Sequence, residues 1–173
     1  LTGLMNRRAF DQTIRTLAGT AMNSGDPLAL LVVDIDHFKA VNDTWGHAVG
    51  DAVLQLVARR LAHRARAEDK PARFGGEEFV LLLPGTTLEE AAAIGDALRA
   101  DLESQRLVLR DTQQPIGTVT ASIGVALYEP GERLADWVGR ADAALYRAKA
   151  AGRNRVEVAP LFGSLRETNP EAA

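Results

Sequence analysis

The sequence predicts an α+β domain in which helices flank a sheet that contains antiparallel strands. Apolar runs of strand length alternate with segments whose apolar residues recur every three or four positions, in the order βααββαβ. Two of the predicted strands are separated only by a short glycine-rich segment, which indicates a hairpin and therefore an antiparallel pair. At 173 residues, 46% of them hydrophobic, the chain suits one domain with a proper core.

The first half of the chain contains three predicted helices and one predicted strand. A helix is predicted from Asn6 to about Ala18, because apolar residues recur there at helical spacing. Asn23–Pro27 is rich in turn residues and precedes an apolar strand at Leu28–Val33. A short helix is predicted at Phe38–Trp45. A longer one, with a single apolar stripe, is predicted from His47 to about Arg66.

The second half begins with the two strands of the predicted hairpin, Pro71–Phe74 and Phe79–Leu83. An alanine-rich helix is predicted at Leu88–Leu102. The segment Val119–Leu127 alternates apolar and small or polar residues, which is typical of a central strand.

The last predicted elements are a helix at Leu134–Ala151, which Gly152 ends, and a short strand at Val156–Val158. The remaining residues contain prolines, a glycine and small polar side chains. We therefore expect one domain over residues 1–158 and a flexible C-terminal tail over residues 159–173.

Composition excludes several classes of protein. The chain has no cysteine, so disulfide frameworks and cysteine-based zinc or nucleophile chemistry are excluded. No apolar stretch approaches the roughly 20 residues of a membrane span, and no signal peptide opens the sequence. A net charge of −3 gives no general attraction for nucleic acid polymers. We predict a cytoplasmic domain, although a longer protein that contains it could be anchored in a membrane.

The most informative feature is the segment Gly75–Glu78, in which two glycines precede two glutamates. Glycine pairs between strands predict a tight turn, because glycine enters positive φ freely. Adjacent carboxylates repel one another unless a divalent cation neutralises them or one takes a proton. The glycines also leave room for a polyanion to approach the backbone. The segment therefore predicts metal-assisted phosphate chemistry.

A second carboxylate for such a site follows the first strand, where Asp34, Ile35 and Asp36 come directly after the apolar run. Acids at the end of a buried strand, opposite an acidic hairpin, are suited to holding magnesium against phosphates. For Asp34 the alternative is that it caps the short helix at Phe38. For Asp36 we predict a structural role toward nearby backbone groups.

Several motifs, in this order, resemble the GGDEF family of diguanylate cyclases in its GGEEF form. The resemblance covers about residues 1 to 158, and the motifs lie at Leu1–Arg8, Asp34–Lys39, Asn42–Asp43, Gly46–His47, Gly50–Asp51, Gly75–Phe79, Ser122–Val125 and Ala141–Asn154. It implies a palm-like, ferredoxin-related core of the kind shared by nucleotidyl cyclases and polymerases. It also implies condensation of two GTP into cyclic di-GMP, with release of two pyrophosphates, by two domains paired as a homodimer.

The resemblance implies a Mg²⁺ or Mn²⁺ ion held by Asp34, Glu77 and the carbonyl of Ile35. Glu77 is also the candidate for helping to deprotonate the ribose 3′-hydroxyl that attacks the α-phosphate. Glu78 either assists in this step or orients the other groups, and the sequence does not separate the two roles. Lys39 completes the predicted catalytic set.

Asn42 and Asp51 match the positions through which the family holds guanine. The chemistry agrees, because a carboxylate accepts hydrogen bonds from guanine N1–H and the exocyclic amine, whereas adenine presents an acceptor at N1. The alternatives are an ordinary turn residue for Asn42 and an exposed helix residue for Asp51. Phe38 and His47 are further candidates for nucleotide contact, and His47 has a structural alternative at its helix start.

Lys39, Lys149 and Arg153 supply the positive charges that a bound triphosphate requires. We expect backbone N–H groups at residues 37–39, where the short helix begins, to hold the β- and γ-phosphates. The alternative for Lys149 is a favourable interaction with the C-terminal end of its own helix dipole.

Arg66 and Asp69 form an Arg-x-x-Asp sequence, and five residues separate Asp69 from Gly75. This placement resembles the site through which the family binds cyclic di-GMP as an inhibitor. The alternative is a surface ion pair at a helix end. Arg99, on the following helix, is a candidate third member whose register the sequence leaves open.

Two other classes of function are alternatives to the enzyme. A degenerate domain could bind GTP or cyclic di-GMP as a sensor without turnover, and a pure dimerisation domain would leave the clustered polar residues unexplained. The chain begins inside the opening motif of the family. We therefore expect that it is an excised catalytic domain from which an upstream sensor or dimerisation segment was removed.

Overall fold

The fold is an α+β arrangement built around one six-stranded mixed sheet, which confirms the predicted fold class. The computed structural model describes residues 1–109 and 113–167. Its elements are β1 (Met5–Asn6), α1 (Arg7–Ser24), β2 (Leu28–Ile35), α2 (Phe38–Trp45), α3 (His47–Arg64), β3 (Lys70–Arg73), β4 (Glu78–Pro84), α4 (Leu88–Glu103), β5 (Arg106–Val108), β6 (Pro115–Thr118), β7 (Ala121–Leu127), α5 (Leu134–Ala150), β8 (Val156–Val158) and α6 (Phe162–Glu167).

The strand order in the sheet is β1-β3-β4-β2-β7-β8. The four inner strands pair antiparallel, whereas β1 and β8 each pair parallel at an edge. Strands β5 and β6 form a separate two-stranded sheet. Strand β2 therefore lies in the middle of the sheet, between the acidic hairpin on one side and β7 on the other.

Helices cover both faces of the sheet, so every residue of β2 is buried. Leu28, Leu30 and Val32 belong to the core cluster that α1 and α5 form on one face. Their neighbours along the strand belong to the cluster that includes α3 and α4 on the other face. Because side chains alternate between the two faces, Asp34 continues the row that faces α1 and α5.

Gly124 on β7 allows α5 to pack closely on the sheet. A Cβ atom at this position would overlap the carbonyl oxygen of Ala141 and the backbone nitrogen of Leu145. Only a residue without a side chain permits this approach, which brings the C-terminal end of α5 to the end of β2.

The structure departs from the sequence predictions mainly at the ends of elements. Helix α1 continues past Ala18 to Ser24 because Ala21 is also buried, and it ends at Gly25, whose φ of 77° forms a left-handed cap. The prediction missed β1 and the β5–β6 pair, which are only two to four residues long.

Helix α6 lies within the predicted tail. Its first two backbone N–H groups, from Phe162 and Gly163, donate to the Glu129 carboxylate. Residues 168–173 of that tail lie outside the described residues, and the flexibility predicted for residues 159–173 stays a prediction. Among the described helices, none is long and apolar enough to cross a membrane.

Candidate active site

The end of strand β2 and the acidic hairpin are joined directly by the sheet. Asp34 pairs with Glu78 in the ladder between β2 and β4, and the N–H of Ile35 donates to the carbonyl of Glu77 at 3.3 Å. The predicted metal ligands Asp34, Ile35 and Glu77 therefore come from adjacent chain segments, although 42 positions separate Ile35 from Glu77 in sequence. The pairing of the central strands accounts for this convergence.

The hairpin turn is fixed by its own backbone and by Arg73. The N–H of Phe74 donates to the carbonyl of Glu78 at 2.9 Å, and the Arg73 guanidinium donates to the carbonyls of Gly75 and Gly76 at 3.0 and 2.7 Å. The prediction that the glycine pair supplies positive φ is wrong, because neither glycine has it. A Cβ at Gly76 would meet open space, so what this glycine leaves is free volume above the backbone beside Glu77.

Asp34 is 4% exposed, and its carboxylate forms an ion pair with the Lys149 ammonium, with 2.9 Å between Oδ2 and Nζ. Lys149 lies in the last turn of α5, the helix that packs closely against the sheet at Gly124. The positive charge of the site therefore comes from this helix. Asp34 does not cap the following helix: the cap residue of α2 is His37, and its side chain makes no capping hydrogen bond. The alternative role considered for Asp34 is therefore wrong.

Negative charge is concentrated where these groups meet. Partial burial raises the pKa of Glu77, and the Asp34 carboxylate raises that pKa further. Lys149 opposes the shift and Glu78 adds to it. The two carboxylates are therefore near enough to repel each other, and Lys149 compensates them only in part.

This donor set fits a small hard cation. Two carboxylates that repel one another gain from a divalent ion between them, and magnesium binds proteins through one or two carboxylates while keeping oxygen ligands from water or phosphate. Within residues 1–109 and 113–167, no three His, Asp or Glu side chains are grouped so that they could hold a metal ion. The remaining ligands would be oxygens such as the Ile35 carbonyl and those of a bound substrate.

Asp36 has a structural role, as predicted, but its partners are not the nearby backbone groups that the prediction named. Its carboxylate accepts hydrogen bonds from the hydroxyls of Ser122 and Thr120 at 2.7 and 2.8 Å, and from the N–H of Asn154 at 3.0 Å. Asp36 therefore ties the end of β2 to β7 and to the loop that follows α5. The sequence showed the acid, but its three partners lie 84 to 118 positions away in the chain.

The loop after α5 carries Arg153, which is exposed. The helix ends in a Schellman motif, in which the N–H of Arg153 donates to the carbonyl of Ala148 at 3.0 Å and that of Gly152 to the carbonyl of Lys149 at 3.4 Å. Gly152, Arg153 and Asn154 all have positive φ, at 113°, 65° and 45°. This turn directs the loop back toward Asp36.

The predicted guanine-binding residues are brought together where α2 and α3 meet. A Cβ at Gly50 would overlap Asn42 Oδ1, so the Asn42 side chain lies directly over Gly50, the residue that precedes Asp51 in the chain. Phe38 is buried against the same glycine, with its Cζ 3.3 Å from that Cβ position, whereas His47 is exposed. Among the described residues, neither the Asn42 amide nor the Asp51 carboxylate has a hydrogen-bonding side-chain partner.

Lys39 forms no ion pair with Asp34, Glu77 or Glu78. Its side chain is 88% exposed, and its ammonium lies 3.6 Å from the carboxylate of Asp43, one helical turn away. The first turn of α2, to which Lys39 belongs, has no side-chain cap, so its N–H groups stay available to an anion.

Arg66 and Asp69 form a tight pair at the end of α3. Asp69 accepts from the Arg66 backbone N–H at 2.7 Å and from the guanidinium at 2.8 Å, and its side chain is 2% exposed. The guanidinium also donates to the Thr86 hydroxyl and the Pro84 carbonyl, at 2.8 and 2.9 Å. A ligand at this pair has direct access to Arg66 and would have to open the pair to reach Asp69.

Arg99 does not join that pair. Its guanidinium donates to Asp96 at 2.7 Å, to Glu103 at 2.8 Å and to the Asn154 side chain at 3.3 Å. Arg99 therefore lies beside Asn154. Its position on α4 directs its side chain to these partners and not to Arg66 and Asp69, a question that the sequence left open.

Residues behind the hairpin were missed by sequence reasoning. The Arg7 guanidinium lies 5.1 Å from the centre of the Phe74 ring, and Phe10 contacts the same ring edge-on at 4.6 Å. Asp142 on α5 lies near Glu78, and burial followed by the Glu78 charge raises the pKa of Asp142. No local pattern signals these contacts, because α1, α5 and the hairpin are distant in sequence.

The whole of this site lies within the region that matches one known family. Residues 1–155 match the family described as "Diguanylate cyclase, GGDEF domain". The chain belongs to the GGDEF family. The acidic hairpin Gly75–Phe79, with Glu77 in place of the aspartate in the family's name, is therefore its signature motif.

Relatives of this GGDEF domain include named diguanylate cyclases. It is 42% identical over 156 residues to diguanylate cyclase VdcA of Vibrio cholerae, which covers 90% of this chain and 45% of VdcA. It is 43% identical over 157 residues to the response regulator PleD of Caulobacter vibrioides, covering 90% of this chain and 34% of PleD. The chain thus spans less than half the length of these two relatives.

Solved structures show the same fold. The coiled coil and GGDEF domain of DgcB from Caulobacter crescentus, in complex with c-di-GMP, is 40% identical, with a TM-score of 0.89 over 91% of this chain and 83% of that one. The palm-like fold predicted for this GGDEF domain is therefore confirmed.

Proposed function

We propose that this domain is a diguanylate cyclase, which condenses two GTP into cyclic di-GMP and releases two pyrophosphates. The observation that carries the proposal is the convergence of Asp34, Glu77 and Lys149 beside the free volume at Gly76. This arrangement offers negative charge for a cation, positive charge for phosphate, and room for a nucleotide against the backbone. The names of the relatives agree with it.

The domain's own residues would hold the nucleotide at both ends. Asn42 and Asp51 face guanine with groups that lack partners among the described side chains, so binding the correct base satisfies them without breaking an existing contact. Lys149 and Arg153 would contact the triphosphate from one side. Lys39 and the uncapped N–H groups of α2 would contact it from the other.

Glu77 would accept the proton of the ribose 3′-hydroxyl as the O3′–Pα bond forms and the bond from Pα to pyrophosphate breaks. With a cation bound at Asp34 and Glu77, this carboxylate would be a weak base, so the cation's lowering of the pKa of the attacking hydroxyl would contribute more to its deprotonation. Glu78, paired with Asp34 in the ladder, would orient the site. A bound Mg²⁺ or Mn²⁺, held by Asp34, Glu77 and the Ile35 carbonyl, supplies charge neutralisation and a lower pKa for the attacking hydroxyl.

We propose that turnover needs two copies of the domain. The described part of the domain offers one guanine-reading pair, whereas the product joins two nucleotides. A two-fold homodimer would place each 3′-hydroxyl against the α-phosphate held by the other copy. Specific activity should then rise with protein concentration. Specific activity that is independent of dilution, in a sample verified as monomeric, would contradict the dimer.

We also propose that Arg66 and Asp69 bind cyclic di-GMP and thereby inhibit the enzyme. Arginine can donate to guanine O6 and N7 or to phosphate, and the exposed face of Arg66 is open to such a ligand. Asp69 would accept from guanine N1–H once the pair opens. The alternative, a purely structural ion pair, is supported by the burial of Asp69 and is tested below.

Incubation with GTP and Mg²⁺, followed by detection of cyclic di-GMP and pyrophosphate, tests the activity directly. Glu77→Gln is the matched control, because it keeps the shape of the side chain and removes its charge. A folded protein that binds GTP without forming product would favour the sensor module instead.

A further inference from the structure

We propose that Asn154 is a positioning residue that holds the loop after α5 in the geometry the triphosphate requires. The inference rests on the proposed function, because it assumes that Lys149 and Arg153 contact phosphates. Asn154 does not itself belong to the predicted substrate-binding set. It lies at the end of the turn that follows α5, immediately after Arg153.

Asn154 makes polar contacts in two directions. Its backbone N–H donates to Asp36 Oδ2 at 3.0 Å, which ties the loop to the end of β2. Its side-chain Nδ2 donates to Glu103 Oε1 at 2.9 Å, and its Oδ1 accepts from Arg99 Nη1 at 3.3 Å. One residue therefore joins the loop both to the strand that carries Asp34 and to helix α4.

The contacts on α4 form a closed triangle. Arg99 Nη1 donates to Glu103 Oε2 at 2.8 Å, while each of these two residues also bonds to the Asn154 side chain. The hydrogen bonds from Arg99 and then Asn154 lower the pKa of Glu103, which keeps this carboxylate ionised as an acceptor. Both functions of the amide are thus used at once, with Nδ2 as the donor and Oδ1 as the acceptor.

The loop needs such an anchor because its backbone is unusual. Gly152, Arg153 and Asn154 have positive φ in succession. Asparagine tolerates this conformation better than most residues, but arginine does so only at a cost that surrounding contacts must offset. If the side chain of Asn154 were released, we expect the turn to relax, which would displace Arg153 and loosen the last turn of α5 that carries Lys149.

Two variants and one matched control test the inference. Asn154→Gly keeps the positive φ and the N–H to Asp36 but removes the side-chain contacts, and Glu103→Ala removes the main partner. Asp101→Ala is the control, because Asp101 lies on the same helix and makes its ion pairs with Arg60 and Arg64 on α3. The measurements are hydrogen exchange of the amides at residues 151–155, affinity for a non-hydrolysable GTP analogue with Mg²⁺, and thermal stability.

Asn154→Gly and Glu103→Ala should each speed hydrogen exchange of the loop amides and weaken binding of the GTP analogue by about tenfold. A loss of that size corresponds to roughly one oriented charge-assisted contact. The double variant should bind no more weakly than Asn154→Gly, since the contact to Asn154 that Glu103→Ala removes is already absent in that variant. Asp101→Ala should lower thermal stability about as much as the two test variants do, but it should leave loop hydrogen exchange and affinity for the analogue unchanged.

Unchanged exchange in both variants would overturn the inference, and so would faster exchange with unchanged affinity, because the contact would then serve the fold alone. The outcomes for the proposed function are separate. A wild-type domain that binds the analogue but forms no cyclic di-GMP would overturn the cyclase activity, whereas exchange and affinity would still decide the role of Asn154.

Discussion

Replacing Gly50 by alanine should weaken guanine-nucleotide binding while leaving the domain folded. The new Cβ would overlap Asn42 Oδ1 and would lie 2.9 Å from Asn42 Cγ and 3.3 Å from Phe38 Cζ. Asn42 is half-buried, so its amide can rotate away, whereas the tight contact with Phe38 needs a shift of only a few tenths of an ångström. The amide that we assign to guanine therefore moves.

The effects on stability should nearly cancel. Alanine in place of a helical glycine stabilises by about 1 kcal/mol, and forcing a side chain into a poorer rotamer costs about 0.5–1.5 kcal/mol. Loss of the Asn42 contact to the base removes about 1.5 kcal/mol of binding free energy, which is about tenfold in affinity. We expect a thermal midpoint close to wild type and a Kd for a GTP analogue raised about tenfold.

Two other glycines provide matched controls for the same chemical change. At Gly19, within α1, a Cβ meets open space, so Gly19→Ala should stabilise the domain by about 1 kcal/mol and leave nucleotide affinity unchanged. At Gly124 the Cβ meets the backbone of α5, which cannot move locally, and the substitution should destabilise by about 1–3 kcal/mol or more.

Thermal denaturation and calorimetry with a GTP analogue, run on the three variants in parallel, check these expectations. Wild-type affinity in a stably folded Gly50→Ala variant would refute the reasoning, because it would show that the position of the Asn42 amide does not matter for the base. Unfolding of Gly50→Ala would refute the other half, since the contact with Phe38 would then exceed what the side chains can absorb.

Three further substitutions test the assigned roles. Glu77→Gln should leave the free energy of unfolding within about 0.5 kcal/mol of wild type, or raise it, because it removes charge repulsion from Asp34 and Glu78. Cyclic di-GMP formation should fall by orders of magnitude, and a folded variant with full activity would exclude the role assigned to Glu77. Asp51→Asn should reduce the preference for GTP over ATP in competition binding, and unchanged selectivity would place base reading elsewhere. Arg66→Ala should destabilise by about 1–3 kcal/mol, because the buried Asp69 carboxylate loses its guanidinium partner. It should also weaken cyclic di-GMP binding in calorimetry; equal affinities would mean that the pair is structural only.

Much of the fold could be predicted because the longer elements carry strong local signals. The boundaries of α2 and β8 are as predicted: Gly46 ends α2, and β8 shows the apolar–polar alternation of a strand. The β5–β6 pair was missed because β6 contains a proline and a glycine, which are depleted in strands, and β5 pairs only with β6. Gly75 and Gly76 were correctly assigned to the turn, but positive φ was the wrong reason. The sequence does not show whether a glycine is present for its backbone conformation or for the space that its missing side chain leaves.

The sequence by itself determined the chemistry that this domain carries: the acids after the central strand, the acidic hairpin, the amide–carboxylate pair and the basic loop are all visible as residues. Only the tertiary structure decided which of them meet. Pairing of β2 with β4 brings Ile35 to Glu77, and the close packing at Gly124 lets Lys149 reach Asp34. The bond from Asn154 to Asp36 spans 118 positions, and contacts at that separation depend on the packing of the whole core, which no local pattern encodes.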